Sequence, residues 1–294
     1  MYNSKSLILR YLLILLAVVF WGTSFVATKR VLTEIDPVTI IALRLLLASA
    51  LLLIIAITTK RKFTINLKNH GKIFILAVIA VFHLWIQITG LNYTTASNTG
   101  WIIGTAPIFM ALLAIIFFKE KMTFVQGTGI LIAMFGLLLL FGKGDISSID
   151  LVQNKGDLLV LGSAFTWGVY SMVNKKITLS YSPLMTILYL FIMMLIIIVP
   201  VNLNKSVIES VVNLSATGWG SILFLGLFCS GIAYVIWAYS LRDIESAKVG
   251  AFLYFEPLVT VVAAWVLLQE SVTILMFVSG IIITFGVILV NKDF

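Results

Sequence analysis

Polar and aromatic side chains recur at helical spacing inside long apolar segments of this chain. Two matched sets are Trp21, Ser24 and Thr28, and Trp167, Tyr170 and Asn174. Residues at positions i, i+3 and i+7 share one face of a helix. Hydrocarbon excludes such polar groups, so they normally face the interior of a helical bundle or a water-filled cavity. The spacing therefore predicts one cavity that both sets line.

Three further helical faces carry the same combination of side chains. They are His83 with Gln87, Ser230 with Tyr234 and Trp237, and Asn98 with Trp101 and Thr105. We expect a bound small molecule to contact Trp21, Ser24, His83, Gln87, Asn98, Trp101, Trp167, Tyr170, Tyr234 and Trp237. The alternative for tryptophans is a belt at the lipid headgroups, which we assign to Trp219 and Trp265 near segment ends. Stacked rings in a cavity favour a planar or apolar ligand.

Three ionisable residues, Arg44, His83 and Glu256, lie within apolar segments. Glu256 is either a proton-coupling carboxylate or a carboxyl group held by a hydrogen bond at the helix break that Pro257 makes. His83 is the second proton-coupling candidate, because histidine titrates near neutral pH in water. Its alternative is a satisfied structural donor. We expect Arg44 to anchor helix ends or carbonyl groups through its fork of donors rather than to bind a ligand.

Pro107 and Pro257 occupy corresponding points of two similar segments. Each proline removes a backbone hydrogen bond and bends its helix, so we predict two hinges. Glu120 and Glu270 follow these segments at turns. We expect them to be solvated or helix-capping groups rather than catalysts.

The sequence offers no recognisable catalytic, metal or cofactor site. It contains no HExxH motif and no P-loop, and its aspartates lie in loops or at segment ends. Cys229 is the only cysteine and there are two histidines, too few for the usual metal clusters. The net charge of +8 is spread between apolar segments instead of forming a basic face, so we expect no nucleic-acid partner. We therefore predict neither an enzyme nor a cofactor.

The composition indicates an integral membrane protein. Apolar residues make up 61% of the chain and charged residues 11%, with a mean hydropathy of +1.12, far from the averages of soluble domains. Because about twenty apolar residues cross a bilayer as a helix, we predict an all-α fold with ten transmembrane helices. The first runs from Tyr11 and is retained, since it has no small-x-small cleavage site. The others are Val38–Thr58, Ile73–Leu91, Ser97–Phe118, Met122–Phe141, Asp157–Asn174, Leu184–Val201, Thr217–Tyr239, Ser246–Leu268 and Val272–Val290.

The positive-inside rule orients these helices. With the N terminus inside, 14 of the 20 Lys and Arg residues lie in inner segments, five lie in outer segments, and Arg44 lies within a span. We therefore expect both termini in the cytoplasm and the chain in the cell (inner) membrane.

The chain is built twice. An offset of 146 pairs Trp21 with Trp167, Lys29 with Lys175 and Pro37 with Pro183, and an offset of 150 pairs Gly100 with Gly250, Pro107 with Pro257, Glu120 with Glu270 and Gly136 with Gly286. We predict one five-helix repeat over residues 11–142 and a second over residues 157–290. An odd number of spans in each half turns the second repeat upside down. Inverted repeats are typical of transporters, whose substrate site lies near the bilayer midplane.

The segments Trp21–Lys29 (WGTSFVATK), Ala42–Ser49 (ALRLLLAS) and Phe255–Glu270 (FEPLVTVVAAWVLLQE) resemble the drug/metabolite transporter superfamily, specifically its EamA-type ten-helix exporters. The resemblance covers the chain from about Tyr11 to Val290. It implies an inner-membrane carrier that moves amino acids or related small metabolites outward by alternating access. Arg44 and the pair Glu256-Pro257 match the arginine and Glu-Pro of that family.

Two alternatives remain open on the residues alone. A channel-like permease would also need a polar path, and the aromatic faces also suit a translocator of a lipid-linked or drug-like amphiphile. The expected partners are a small-molecule substrate and the lipid bilayer. The sequence leaves a homodimer open.

Overall fold

The computed structural model describes residues 4–63, 67–141, 154–178, 181–202, 205–268 and 274–291. In these ranges the chain is helical and its connections are short. Six charged residues lie outside these ranges: Lys143, Asp145, Asp150, Glu270, Lys292 and Asp293. The helices are α1 (Ser4–Val31), α2 (Pro37–Thr58), α3 (Leu67–Tyr93), α4 (Ala96–Ile103), α5 (Ala106–Phe118), α6 (Phe124–Phe141), α7 (Lys155–Thr178), α8 (Pro183–Asn202), α9 (Lys205–Val212), α10 (Ala216–Leu223), α11 (Ala233–Asp243), α12 (Ser246–Ala251), α13 (Glu256–Leu268) and α14 (Ile274–Asn291).

Within the described ranges, the helices form ten crossings of one bundle, as the sequence predicts. Helices α4 and α5 form the fourth crossing, α10 and α11 the eighth, and α12 and α13 the ninth. Seven helical segments are long and apolar enough to span a bilayer, and α6 and α14 are shorter apolar helices. Helix α7 is the most polar crossing because it buries Ser163, Ser171, Asn174, Lys175 and Thr178. Ten crossings return the chain to the face on which it starts, named the terminal face here; the opposite end is the distal face.

The helices differ from the predicted spans at several places, and α1 and α3 begin earlier, at Ser4 and Leu67 rather than at Tyr11 and Ile73. The predicted eighth span, Thr217–Tyr239, contains a π-helical stretch, Phe224–Ile232, between α10 and α11. Helix α9 occupies part of what the sequence predicted as a loop. Helix α7 continues beyond the predicted Asn174 to Thr178, because its last turn is buried against other helices rather than exposed as a loop.

Packing between the helices follows an inverted two-fold arrangement. Helix α2 packs against α8 and α6 against α14, each a helix with its own counterpart in the other repeat. The contact of α3 with α7 is matched by that of α1 with α11, and the contact of α5 with α7 by that of α1 with α13. Each half therefore uses the same surfaces, and the two halves complete one bundle.

Glycines allow the closest of these helix contacts. A Cβ atom placed on Gly286 of α14 would lie 2.6 Å from the Ala133 amide nitrogen and the Gly129 carbonyl oxygen of α6. A Cβ atom on Gly90 of α3 would lie 2.8 Å from the Gly156 carbonyl oxygen of α7. Small residues let transmembrane helices approach to this distance. Backbone contact therefore fixes both helix pairs.

The two predicted hinge prolines lie at matching breaks in their crossings. Pro107 is at the second position of α5, directly after the end of α4 at Ile103 and the bend at Gly104. Pro257 is at the second position of α13 and follows a 3₁₀ turn, Phe252–Phe255. Proline is tolerated in the first turn of a helix, where no intrahelical N–H partner is lost. The breaks are features of the fold, and their movement as hinges stays a prediction.

Replacing Gly286 with Ala tests the contact between α6 and α14. Alanine favours an isolated helix over glycine, but here the new methyl group would contact backbone atoms that cannot turn away. We expect a loss of about 1–3 kcal/mol in stability, measured as a lower midpoint of thermal unfolding in detergent. Gly220→Ala is the matched control, because no atom lies within 4 Å of its Cβ position. Equal midpoints for the two variants would contradict the close contact.

Candidate functional site

A cavity lies between the two halves of the bundle, close to mid-depth. Seven of the crossings line it, with Trp21, Ser24, Phe25, Arg44, His83, Leu84, Gln87, Ile103, Trp167, Tyr234 and Glu256. The centre of a water molecule can occupy about 30 Å³ of it, which is room for one or two waters. In this conformation the site is nearly closed around its own side chains.

Distance along the helices places the cavity near the bilayer midplane. Trp21 lies ten residues before the end of α1 at Val31, and His83 ten residues before the end of α3 at Tyr93, about 15 Å in each case. Trp167 lies near the middle of α7. Ser24 and Gln87, which also line the cavity, lie on the distal side of this level. The cavity therefore extends from mid-depth toward the distal face.

Aromatic rings from both repeats form one wall. The centroids of Trp21 and Trp167 lie 4.9 Å apart at an interplanar angle of 81°, and Tyr234 meets Trp21 at 5.8 Å and 85°. Edge-to-face contacts of this kind are favourable for aromatic pairs. Trp21 Nε1 donates to the Cys229 carbonyl oxygen at 2.9 Å, within the π-helical stretch. The rings are therefore held in fixed orientations and present their faces and edges to the cavity.

Arg44 supplies a positive charge at the cavity wall. Its Nε donates to Ser230 Oγ at 2.8 Å, which fixes the plane of the guanidinium group. Among the described residues, neither terminal nitrogen has a hydrogen-bond partner. The side chain is only 4% exposed overall. The two terminal nitrogens are thus available to a ligand. The third, Nε, is held by a side-chain hydroxyl rather than by the helix ends or carbonyl groups expected from the sequence.

His83 has a defined hydrogen-bond partner on α7. Its Nδ1 lies 3.0 Å from the Ser163 carbonyl oxygen and 3.3 Å from Thr166 Oγ1. A carbonyl oxygen can only accept, so Nδ1 carries the proton. In the neutral ring Nε2 is then an acceptor on the other edge. The sequence left His83 as either a structural donor or a proton-coupling group of the cavity. Its Nδ1 donates to the backbone of α7, and its ring also lines the cavity.

Glu256 is the acidic group of the cavity and begins α13. It is 4% exposed, and its carboxylate accepts no hydrogen bond from the described residues. The sequence left open that a hydrogen bond holds this carboxyl group in a structural role. No residue in the described part of the chain donates that hydrogen bond. Gln87 lies across the same cavity with its amide also unpaired among these residues.

Six of the ten residues predicted to bind a ligand line the cavity, and four do not. The six are Trp21, Ser24, His83, Gln87, Trp167 and Tyr234. Tyr170 stacks on Trp167 at 5.1 Å, and Trp237 Nε1 donates to Ser171 Oγ at 3.1 Å, both on the terminal side of the cavity. Asn98 donates to Asp157 Oδ1 near the distal face.

The fourth, Trp101, packs beside a separate apolar cluster between α6 and α14. The spacing of Asn98 and Trp101 predicts that they share one face of a helix. It does not predict whether that face points into the cavity. The predicted belt residues Trp219 and Trp265 are 36% and 52% exposed. Sequence patterns did not select Phe25, Leu84 and Ile103, because apolar lining residues look like any other apolar residue in a span.

An ionic network closes the terminal side below the cavity. Lys175 Nζ lies 2.6 Å from Glu120 Oε1, 2.9 Å from Ser246 Oγ and 3.4 Å from the Ile244 carbonyl oxygen. Glu120 accepts hydrogen bonds from the Ser246 backbone N–H at 3.0 Å and from its hydroxyl at 2.9 Å. Glu120, Lys175 and Ser246, called the Glu120 network here, join the ends of α5, α7 and α11 to the start of α12.

The charge state of Glu120 follows from these contacts. Burial raises the pKa of this carboxyl group, but the hydrogen bonds and charge of Lys175 and the hydrogen bonds of Ser246 outweigh it and hold the pKa below its usual value. The carboxylate is therefore charged at neutral pH, and the pairing is lost only as pH falls through that lowered pKa. Its predicted capping role is seen directly.

The distal ends are held by a different set of contacts. Lys29, the counterpart of Lys175, donates to the carbonyl oxygens of Leu91 at 2.9 Å and Thr94 at 2.7 Å. Glu34 accepts from the Ser215 backbone N–H and hydroxyl, both at 2.8 Å. These hydrogen bonds, the backbone one first, lower the pKa of Glu34. Carbonyl and cap contacts tie the distal helix ends together.

Comparison with known proteins agrees with this geometry. The sequence profile of the EamA-like transporter family matches residues 8–142 and again residues 154–292. The chain belongs to the EamA-like transporter family. An uncharacterized transporter of Archaeoglobus fulgidus is 30% identical over 288 residues, covering 98% of this chain and 97% of that protein. The uncharacterized transporter YyaM of Bacillus subtilis is 28% identical over 282 residues, covering 95% and 92%.

The EamA fold also appears among solved structures. One, titled only as the crystal structure of a protein, superposes with a TM-score of 0.76 over 95% of each chain at 16% sequence identity. At that identity the match shows the fold alone. Together with the profile it identifies this EamA chain as a multi-pass membrane protein related to transporters, in agreement with the family resemblance in the sequence.

Proposed function

We propose that this EamA protein is a secondary-active exporter of small metabolites, with amino acids or related compounds as its substrates, working by alternating access. The observation that carries the proposal is the cavity itself. It lies at mid-depth between two inverted halves. Beside its aromatic wall are the terminal nitrogens of Arg44 and the carboxyl group of Glu256, neither of which has a partner among the described residues. Substrate sites of inverted-repeat carriers occupy this position.

The charges of the cavity favour a zwitterion. The free donors of Arg44 match the two oxygens of a carboxylate, and Glu256 can accept hydrogen bonds from an ammonium group. The rings of Trp21 and Trp167 offer apolar surface for an aromatic or aliphatic side chain. Because the cavity now admits only one or two waters, a substrate of this kind enters after the helices separate.

Substitution of the aromatic wall tests the site. Trp167→Ala removes ring surface from the cavity and should lower the initial rate of amino-acid transport into inverted vesicles by about tenfold or more, the effect of losing about 1.4 kcal/mol or more of binding. Trp265→Ala is the matched control, because that ring is 52% exposed to lipid. Candidate substrates come from metabolite profiling of the medium of cells with and without the gene.

The same assay separates the proposed carrier from its alternatives. A carrier gives saturable flux and counterflow, whereas a channel-like permease gives flux without counterflow. Unchanged transport by a well-expressed Trp167→Ala variant would contradict substrate contact at this ring. Trp101→Ala should be measured alongside Trp167→Ala. It tests whether a ring that was predicted to bind substrate, but lies outside the present cavity, contributes to transport.

We also propose that Glu256 couples transport to protons, since it lines the cavity and no described residue donates a hydrogen bond to it. Glu256→Gln should keep the size and hydrogen-bonding capacity of the side chain but remove its titration. We expect the variant to transport without dependence on a pH gradient, in vesicles where the unaltered protein depends on one. A variant that responds to the gradient like the parent would assign coupling to another group, with His83 the next to replace.

For orientation, we propose that the terminal face is cytoplasmic and that the protein lies in the inner membrane, on the strength of the basic residues counted above. Reporter tags inserted after Lys60 and after Thr178, the last residue of α7, should then report the cytoplasm, and a tag after Lys205 the outside. Opposite locations for the first two tags would contradict the inverted arrangement of the repeats.

A further inference from the structure

Helix α7 carries a row of buried polar atoms that have no hydrogen-bond partner in the described part of the chain. Trp167 Nε1, the Tyr170 hydroxyl and both amide atoms of Asn174 lack a hydrogen bond among the described residues. Tyr170 is 1% exposed and Asn174 is fully buried. The three residues share one face of α7 and run from the cavity toward the Glu120 network. Nearly all buried polar atoms in proteins are paired, so each exception needs a physical reason.

The internal repeat supplies that reason. Ser24 and Gln87 line the cavity in the first half, and their counterparts at the offsets of 146 and 150 are Tyr170 and Trp237. Neither counterpart lines the cavity, because Tyr170 stacks on Trp167 and Trp237 donates to Ser171. The cavity therefore reaches the distal-flank residues of the first half, whereas the corresponding terminal-flank residues of the second half lie outside it.

The next residues along α7 account for the closure. Asn174 is followed by Lys175, whose contacts with Glu120 and Ser246 join three helix ends below the unpaired atoms. The counterpart of Asn174 is Thr28, which is 3% exposed and lies between the cavity and Lys29. Each half therefore places a small polar residue between the central tryptophan and a lysine that ties helix ends together.

We propose that Tyr170, Asn174 and Trp237 line the terminal half of the substrate path, which is dry in this conformation and fills with water when the Glu120 network separates. The proposal rests on the proposed function, since it assigns the opposite state of the same carrier. In that state the Tyr170 hydroxyl and the Asn174 amide gain water or polar groups of the substrate as partners. The distal flank beside Ser24 and Gln87 closes in exchange.

Thiol labelling tests the path. Cys229→Ser removes the single cysteine and keeps a donor at the position that now contacts the Phe20 carbonyl oxygen. Asn174→Cys and, separately, Ser24→Cys are then added and exposed to a membrane-impermeant thiol reagent from each face, with an N-terminal tag identifying the terminal face. In this background we expect Asn174→Cys to react slowly and Ser24→Cys to react from the distal face.

The double substitution Glu120→Gln with Lys175→Met removes both charges of the network and leaves neither buried alone. We expect it to raise the reactivity of Asn174→Cys from the terminal face by at least about fivefold, and to lower that of Ser24→Cys from the distal face. Lys205→Met is the control, because it removes an exposed ion pair with Glu209 on α9. It should change neither rate.

A second measurement keeps α7 unaltered. Hydrogen exchange of the backbone around residues 170–178 should accelerate in the double variant and not in Lys205→Met. An Asn174→Cys that stays unreactive in the double variant, with unchanged exchange, would overturn the path, as would reaction from the distal face. These results leave the proposed function intact if vesicle transport persists. Labelling as expected with no transport of any candidate would instead retain the path and refute the proposed substrates.

Discussion

The structure depends on the fact that hydrocarbon offers no hydrogen bonds. Backbone groups in a bilayer must pair within their own helix, and a polar side chain must face protein or water. This constraint explains why helix α7 can be the most polar crossing and still belong to the bundle: its serines, Asn174 and Lys175 are all buried against other helices. It also explains why polar atoms without a partner among the described residues lie at the interface between the two halves and in the cavity between them.

Duplication of one five-helix unit makes two such interfaces at once. The same helix surfaces meet on both sides of the cavity, so under the proposed alternating access the separation of one set would be accompanied by closure of the other. Lys29 and Lys175 show the difference between the sides in this conformation. Lys175 is paired with a carboxylate and a serine, whereas the contacts of Lys29 are with carbonyl oxygens of the end of α3. Similar sequences thus hold the two ends with contacts of different strength.

Much of this arrangement could be predicted from the sequence, because hydropathy and repetition are properties of segments. Ten crossings, the two-fold offset and the pairing of Trp21 with Trp167 follow from patterns that many residues share. Helix breaks next to Pro107 and Pro257 were also foreseeable, since proline acts on its own backbone. The π-helical stretch could not be predicted, because no residue type or spacing within Phe224–Ile232 indicates it.

Prediction of the site from the sequence was limited mainly because spacing does not show which neighbour a helical face points toward. Asn98 and Trp101 have the same spacing as residues that do reach the cavity, but α4 directs Asn98 to Asp157 and Trp101 toward the cluster between α6 and α14. That outcome depends on contacts between distant segments. Arg44 was expected to anchor helix ends or carbonyl groups, but its Nε donates to the side-chain hydroxyl of Ser230. That its two terminal nitrogens have no partner among the described residues could be recognised only when the position of Ser230 was known.

The two ionisable groups of the cavity do not follow the repeat. The counterpart of Arg44 is Leu190, and the counterpart of Glu256 is Ala106, both fully buried. A symmetric pair of such groups would present a substrate with two equivalent orientations. One basic and one acidic group instead define a single orientation across the cavity. In the proposed carrier the two flanks would exchange roles around this one pair, so that a symmetric scaffold holds an asymmetric site.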